Sequence, residues 1–137
     1  MCGRYEYFEH TADVGIIAHG STLADIFAQA ARGLTGVVCD LEKVRPVEVR
    51  AITVEAQDLE GLLVAWLSEM LFYMDSEQLL LCEHDIKIDE GWTLRATSRG
   101  ERMDAERHNL RGGIKAVTYH MLEVDREKGF AKVLLDV

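Results

Sequence analysis

Hydrophilic groups near the ends of expected strands are the residues of this chain best suited to binding chemistry. His10 and Asp13 lie three residues apart in the segment EHTADVGI, which joins two strand-like stretches. Lys115 opens another such stretch, and Asp136 and the terminal carboxylate of Val137 close the last one. Because Asp136 follows the apolar run FAKVLL and an acid buried alone is costly, this position favours a nearby cation.

Ordinary structural roles remain open for the same residues. Asp13, taken alone, is more simply a turn residue that accepts backbone hydrogen bonds, and His10 fits equally well as a core histidine with satisfied hydrogen bonds. The other histidines show no metal-ligand spacing among themselves and are interpreted as structural: His19, His84, His108 and His120.

The sequence lacks the motifs of nucleotide binding and of nucleophilic catalysis. The stretch RGGIK at residues 111–115 has neither the preceding strand nor the spacing of a phosphate-binding loop, and there is no GxSxG segment. The three cysteines, Cys2, Cys39 and Cys82, are widely spaced and form no CxxC pair. They are expected to be free thiols, with neither a disulfide framework nor a thiolate zinc site.

Composition and charge limit the possible functions. A chain of 137 residues with 48% apolar content fits one domain with a real core. Its 15 Lys and Arg against 24 Asp and Glu give a net charge of −9. This sign opposes binding to a phosphate backbone without a basic partner. The absence of a signal-like start and of a long apolar run predicts a soluble, cytoplasmic protein.

Two segments have the apolar periodicity of helices. Thr22, with Asp25 three residues later, gives a start like a capping box, and apolar residues follow at helical spacing over residues 23–38. Asp58 is the expected N-cap of a second helix, whose apolar stripe runs over residues 59–74. We interpret the Trp and Met residues of this stripe as core packing against a sheet.

The rest of the chain reads mainly as strands joined by hairpins. The expected strands cover residues 4–8, 14–19, 47–55, 79–89, 92–99, 114–124 and 130–136. Hairpins in place of regular alternation of strands and helices favour the α+β class. We therefore predict a single two-layer domain over residues 1–137, with two helices packed on one face of a mixed, largely antiparallel sheet.

Three blocks of the sequence resemble the signatures of the archease family: YEYFEHTADVGI, GIKAVTYHMLEV and KVLLDV. The resemblance extends over essentially the whole chain and implies the archease fold. It also implies a function, namely activation of the RtcB-type RNA ligase, which joins 2′,3′-cyclic phosphate or 3′-phosphate ends to 5′-hydroxyl ends in transfer-RNA splicing. Such an activator does not join RNA itself. It promotes guanylylation of the ligase histidine, which permits multiple turnover and broader use of nucleoside triphosphates.

The resemblance also implies a site. In the family pattern the matching residues Asp13, Asp136 and Val137 bind a divalent metal, Lys115 is a functional lysine, and His10 is an additional candidate. The expected ion is Ca²⁺, with Mg²⁺ or Mn²⁺ as alternatives. Carboxylates are hard oxygen donors suited to Ca²⁺ or Mg²⁺, and an ion would relieve their mutual repulsion. A lysine beside them could position or neutralise a triphosphate.

The implied partner is the ligase, with tRNA contacted only through it, and neither membrane binding nor independent nucleic-acid binding is expected. The charge of −9 complements a basic RNA enzyme. Two other classes remain open from the residues themselves. A metal-dependent phosphohydrolase would use a carboxylate-bound metal to activate water, and a chaperone-like module would bind unfolded clients through an exposed apolar patch.

Overall fold

A computed structural model describes residues 3–137 of the protein. The thiol prediction for Cys2 lies outside the described residues. Cys39 and Cys82 are free, as expected, and both are buried. Burial raises the pKa of each thiol to about 11, so neither is activated as a thiolate at neutral pH.

The helices and strands follow one another nearly as the hydrophobic patterns predict. In chain order the described part of the molecule contains β1 (Arg4–His10), β2 (Asp13–His19), α1 (Leu23–Val38), a short 3₁₀ helix (Leu41–Lys43), β3 (Glu48–Glu55), α2 (Leu59–Glu77), β4 (Leu79–Asp89), β5 (Thr93–Arg102), β6 (Ala116–Asp125) and β7 (Phe130–Asp136). Neither α-helix is long and apolar enough to cross a membrane.

Both helix starts confirm the predicted caps. The Thr22 hydroxyl accepts a hydrogen bond from the backbone N–H of Asp25 at 3.1 Å. The Asp58 carboxylate accepts one from the N–H of Gly61 at 2.7 Å. Each bond satisfies one of the backbone donors that the first turn of a helix leaves free, so these local sequences determine where the helices begin.

The strands form two separate sheets. The four-stranded sheet has the order β1-β2-β7-β6 and the three-stranded sheet the order β3-β5-β4. All pairings are antiparallel. The α+β class with two helices on antiparallel strands is confirmed, but the expectation of one mixed sheet is corrected to two antiparallel sheets. The alternation of apolar residues shows which face of a strand is buried and does not specify its neighbour.

The helices fill the space against both sheets. Both α1 and α2 contact strands of the four-stranded and of the three-stranded sheet. Phe27 and Trp66 are fully buried, and the indole N–H of Trp66 donates a hydrogen bond to the carbonyl of Phe27 at 2.9 Å. The predicted core role of the second apolar stripe is thereby confirmed. The candidate site lies on the surface of the four-stranded sheet that faces away from this core, which we call the outer face.

Candidate functional site

The β1–β2 turn that carries Asp13 contains a strained residue. The strands pair down to His10 and Asp13, which leaves Thr11 and Ala12 as the loop, and Thr11 has a φ of 53°. Two-residue hairpin loops need a positive φ at their first position, which glycine or asparagine adopts easily. A β-branched residue there is an outlier that costs about 1 to 3 kcal/mol. The turn is therefore not optimised for stability alone.

Asp13 and Asp136 face each other on neighbouring strands. The last pair of the β2–β7 ladder is Val14 with Leu135, so one step further the register places Asp13 opposite Asp136. Leu135 is fully buried in the core, and side chains alternate along a strand. Both carboxylates consequently lie on the outer face, where directly opposite Cβ atoms are about 5 Å apart.

Lys115 and Val137 lie at the same end of this sheet. Ala116 pairs with Asp136 in the β6–β7 ladder, so the next step places Lys115 beside Val137. The backbone N–H of Lys115 also donates a hydrogen bond to the carbonyl of Asp136 at 2.7 Å. Three segments that are distant in sequence therefore meet here: the β1–β2 turn, the start of β6 and the end of β7.

The charged side chains of this site have no ionic partners within residues 3–137. No ion pair there includes Asp13, Asp136 or Lys115. Other acids are paired, such as Glu77, whose carboxylate accepts hydrogen bonds from the Arg50 guanidinium. The groups at this end of the sheet therefore remain available to bind a ligand.

The donor atoms at this end fit a hard divalent cation. Carboxylate oxygens are the ligands that Ca²⁺ and Mg²⁺ prefer, and Asp13 and Asp136 present two of them on one face. Within the described residues no three His, Cys, Asp or Glu side chains are grouped closely enough to hold a metal ion. The third protein donor of the expected set is the carboxylate of Val137, which is not a side chain. His10 does not complete a preformed group with the two aspartates.

His10 lies opposite Asp13 in the hairpin, but its ring contacts another histidine. The ring centroids of His10 and His120 are 5.4 Å apart with the rings tilted by 56°. The Nδ1 atom of His10 is buried and has no hydrogen-bond partner, so the alternative of a satisfied core histidine is wrong. Nothing in the spacing of His10 and His120 in the sequence indicates this contact.

His108 has a structural role, as the sequence analysis proposed. It is fully buried, and its Nδ1 accepts a hydrogen bond from the backbone N–H of Asp104 at 2.9 Å. The ring proton is therefore on Nε2, which donates a hydrogen bond to the Glu101 carboxylate at 2.9 Å. Glu101 also accepts a hydrogen bond from Arg107. This bond, with smaller contributions from a backbone N–H and His108, lowers the pKa of Glu101 to about 2. The network fixes the segment between β5 and β6.

The RGGIK stretch is anchored to α1 by its arginine. The guanidinium of Arg111 donates hydrogen bonds to the carbonyls of Gly36 and Cys39 at 2.9 and 2.6 Å and to the Asp40 carboxylate at 2.8 Å. These bonds satisfy carbonyls at the C-terminal end of α1 that lack helical partners. The arginine is thus committed to the fold, which agrees with the prediction that this stretch is not a phosphate-binding loop.

A cleft of about 260 Å³ lies between α2 and the segment that precedes β6. Most of its lining is apolar, and its charged lining residues are Asp75 and Arg111. Because the guanidinium of Arg111 is already hydrogen-bonded to the end of α1, this cleft has few charged groups free to bind a ligand. Neither Asp13, Asp136 nor Lys115 lines it, and the carboxylate end of the four-stranded sheet remains the stronger candidate.

Comparison with known proteins gives matches over nearly the whole chain. The model of the Archease protein family (MTH1598/TM1083) matches residues 5–137. The chain is 38% identical to the protein named archease of Sulfurisphaera tokodaii over 128 residues, which cover 93% of this chain and 92% of the relative. It is 40% identical to that of Thermococcus gammatolerans over 126 residues, 90% of this chain and 89% of the relative. The solution structure of a Methanobacterium thermoautotrophicum protein is similar, with a TM-score of 0.82, 36% identity and coverage of 97% and 98% of the two chains.

Proposed function

The chain belongs to the archease family, and we propose that it is the protein activator of an RtcB-type RNA ligase. In this proposal it promotes guanylylation of the ligase histidine in the cytoplasm and is not itself a ligase. The observation that carries the proposal is the convergence of the three sequence blocks that resemble the family signatures. They place Asp13, Lys115 and Asp136 at one end of one sheet.

We assign the residues at this end two roles. Asp13, Asp136 and the carboxylate of Val137 would hold a divalent ion, with Ca²⁺ preferred and Mg²⁺ or Mn²⁺ as alternatives. Such an ion supplies positive charge that a nucleoside triphosphate can bind. Lys115, which is exposed, would add an ammonium point charge for a phosphate group. His10 stays outside this ligand set, because it forms no preformed group of metal ligands with the two aspartates among the described residues.

The overall charge agrees with a protein partner in place of RNA. A net charge of −9 opposes direct binding to a phosphate backbone and favours encounter with a basic RNA-binding enzyme. We therefore propose that tRNA reaches this protein only through the ligase. Association should weaken as ionic strength rises, because exposed charges more than about 8 Å apart are screened at physiological salt.

The direct test combines the purified cognate ligase with this protein. Guanylylation of the ligase and multiple-turnover joining of RNA ends are measured with wild type, Lys115→Ala and, as a matched control, Lys128→Ala in the exposed β6–β7 turn. We expect full activation by wild type and the control and loss of activation by Lys115→Ala. Equal activation by Lys115→Ala would remove Lys115 from the site.

The same preparations separate the proposal from a phosphohydrolase. The protein alone should neither hydrolyse GTP nor ligate RNA, since no nucleotide-binding loop or nucleophile motif is present in its sequence. Turnover by the protein alone that disappears in Asp13→Ala would favour the phosphohydrolase instead.

A further inference from the structure

Strand β6 contains an unusually large bulge. Thr118 pairs with Leu134, and the next pair joins Glu123 with Lys132. Residues 119–122 therefore stand opposite the single residue Val133, whereas an ordinary bulge places two residues against one. Within the bulge Met121 has a φ of 60°, a left-handed conformation that is uncommon for a residue other than glycine.

The bulge allows a contact that spans the outer face of the sheet. β1 and β6 are the two edge strands of the order β1-β2-β7-β6, so three strand spacings, about 14 Å in total, separate them. The ring centroids of His10 on β1 and His120 in the bulge are nevertheless only 5.4 Å apart. We infer that the contact reaches across the outer surfaces of β2, which begins at Asp13, and β7, which ends at Asp136.

A small apolar layer lies on this outer face. Leu134 is fully buried, although it points away from the core that contains Val133 and Leu135. The Phe8 ring covers Gly15, since a Cβ atom at that glycine would come within 2.2 Å of the ring. The outer face thus has its own packed layer, which adjoins the end of the sheet that carries the site.

We propose that His10 and His120 are positioning residues that together form a clamp between the β1–β2 turn and the β6 bulge. The clamp holds Asp13, at the end of a strained turn, in register with Asp136. The rings act by packing, because the buried Nδ1 of His10 has no hydrogen-bond partner and the described side chains form no group of three metal ligands. The consequence for metal binding rests on the proposed function, whereas the clamp itself does not.

The clamp is tested first in the metal-free protein by amide hydrogen exchange. His120→Ala should accelerate exchange of the amides at 10–13 by about three- to tenfold, the factor that corresponds to the loss of one aromatic contact. His120→Phe should restore slow exchange, because a phenyl ring packs without the chemistry of an imidazole. Tyr119→Ala is the matched control, since Tyr119, like His120, is an exposed aromatic residue of the bulge but its ring pairs with no other ring within residues 3–137. It should leave exchange unchanged.

Calorimetric titration with Ca²⁺ then separates positioning from ligation. We expect affinity to fall by about three- to tenfold in His120→Ala and to stay within about twofold of wild type in His120→Phe and His10→Phe. Loss of Ca²⁺ affinity in both Phe variants with normal amide exchange at 10–13 would show that the imidazoles bind the ion. Unchanged amide exchange in His120→Ala would show that there is no clamp. Either result overturns the proposal. If wild type binds no Ca²⁺ but His120→Ala still accelerates exchange, the metal assignment fails and the clamp stands.

Discussion

Replacing Asp136 by asparagine is expected to stabilise the protein without metal and to destabilise it when Ca²⁺ is present. In the metal-free protein the register places the carboxylates of Asp13 and Asp136 on one face of neighbouring strands, where like charges repel. Asparagine keeps the size of the side chain and removes one charge. With an ion bound, the same change removes a donor.

The magnitudes of the two effects follow from the spacing and from binding linkage. Two unit charges about 5 Å apart in a largely aqueous environment repel by about 1 kcal/mol. For a chain of this size 1 kcal/mol corresponds to about 3 °C in unfolding midpoint. An ion at 100 times its dissociation constant stabilises the folded state by about 2.7 kcal/mol, or about 8 °C. Asp136→Asn should therefore unfold about 3 °C above wild type in chelator and several degrees below it in saturating Ca²⁺.

Thermal unfolding of both proteins with chelator and with Ca²⁺ measures this change of sign. Glu127→Gln is the control, because it removes one negative charge from the exposed β6–β7 turn and should shift both conditions equally. A lower midpoint for Asp136→Asn in chelator would refute the inferred proximity of the carboxylates. An equal response of Asp136→Asn and wild type to Ca²⁺ would refute the role of Asp136 as a ligand.

Three further outcomes are expected. Addition of a single glycine after Val137 converts its carboxylate into an amide and should lower the Ca²⁺ affinity measured by calorimetry at least about tenfold. An N-terminal tag should leave the affinity unchanged. Equal Ca²⁺ affinity of the two forms would exclude the carboxylate of Val137 as a ligand. Thr11→Gly removes the backbone strain of a threonine at positive φ and should stabilise the metal-free protein by about 1 kcal/mol after the entropic cost of glycine. Thr11→Ala retains the strain and should not stabilise it. Equal stability of the two variants in denaturant unfolding would show that the turn is not strained. The hydrogen bond from Arg107 is the main cause that lowers the pKa of Glu101 from 4.5 to about 2, so Glu101 contributes stability above pH 4.5 that disappears as the pH falls toward 2. The free energy of unfolding should therefore depend less on pH between 4.5 and 2 in Glu101→Gln than in wild type. The same pH dependence in both proteins would contradict the lowered pKa.

The sequence by itself determined the local structure of this protein. The caps at Thr22 and Asp58 lie where they were expected, because one side-chain oxygen and a nearby backbone N–H suffice to begin a helix. The apolar stripe over residues 59–74 correctly predicted a buried helix face, and strand boundaries agreed to within a few residues. The candidate site residues were marked by their hydrophilic character at strand ends, and resemblance to a family implied that they share one site, but no local pattern indicated that they lie together.

Only the tertiary structure decided how the strands pair and therefore what meets at the site. The pairing of β2 with β7 joins segments more than 100 residues apart, and it is this register that places Asp13 opposite Asp136. The division into two sheets, the bulge at residues 119–122 and the contact between His10 and His120 depend on the same pairing. Alternation along a strand specifies a buried face, whereas the choice of neighbour depends on packing of the whole chain, which no short window of sequence contains.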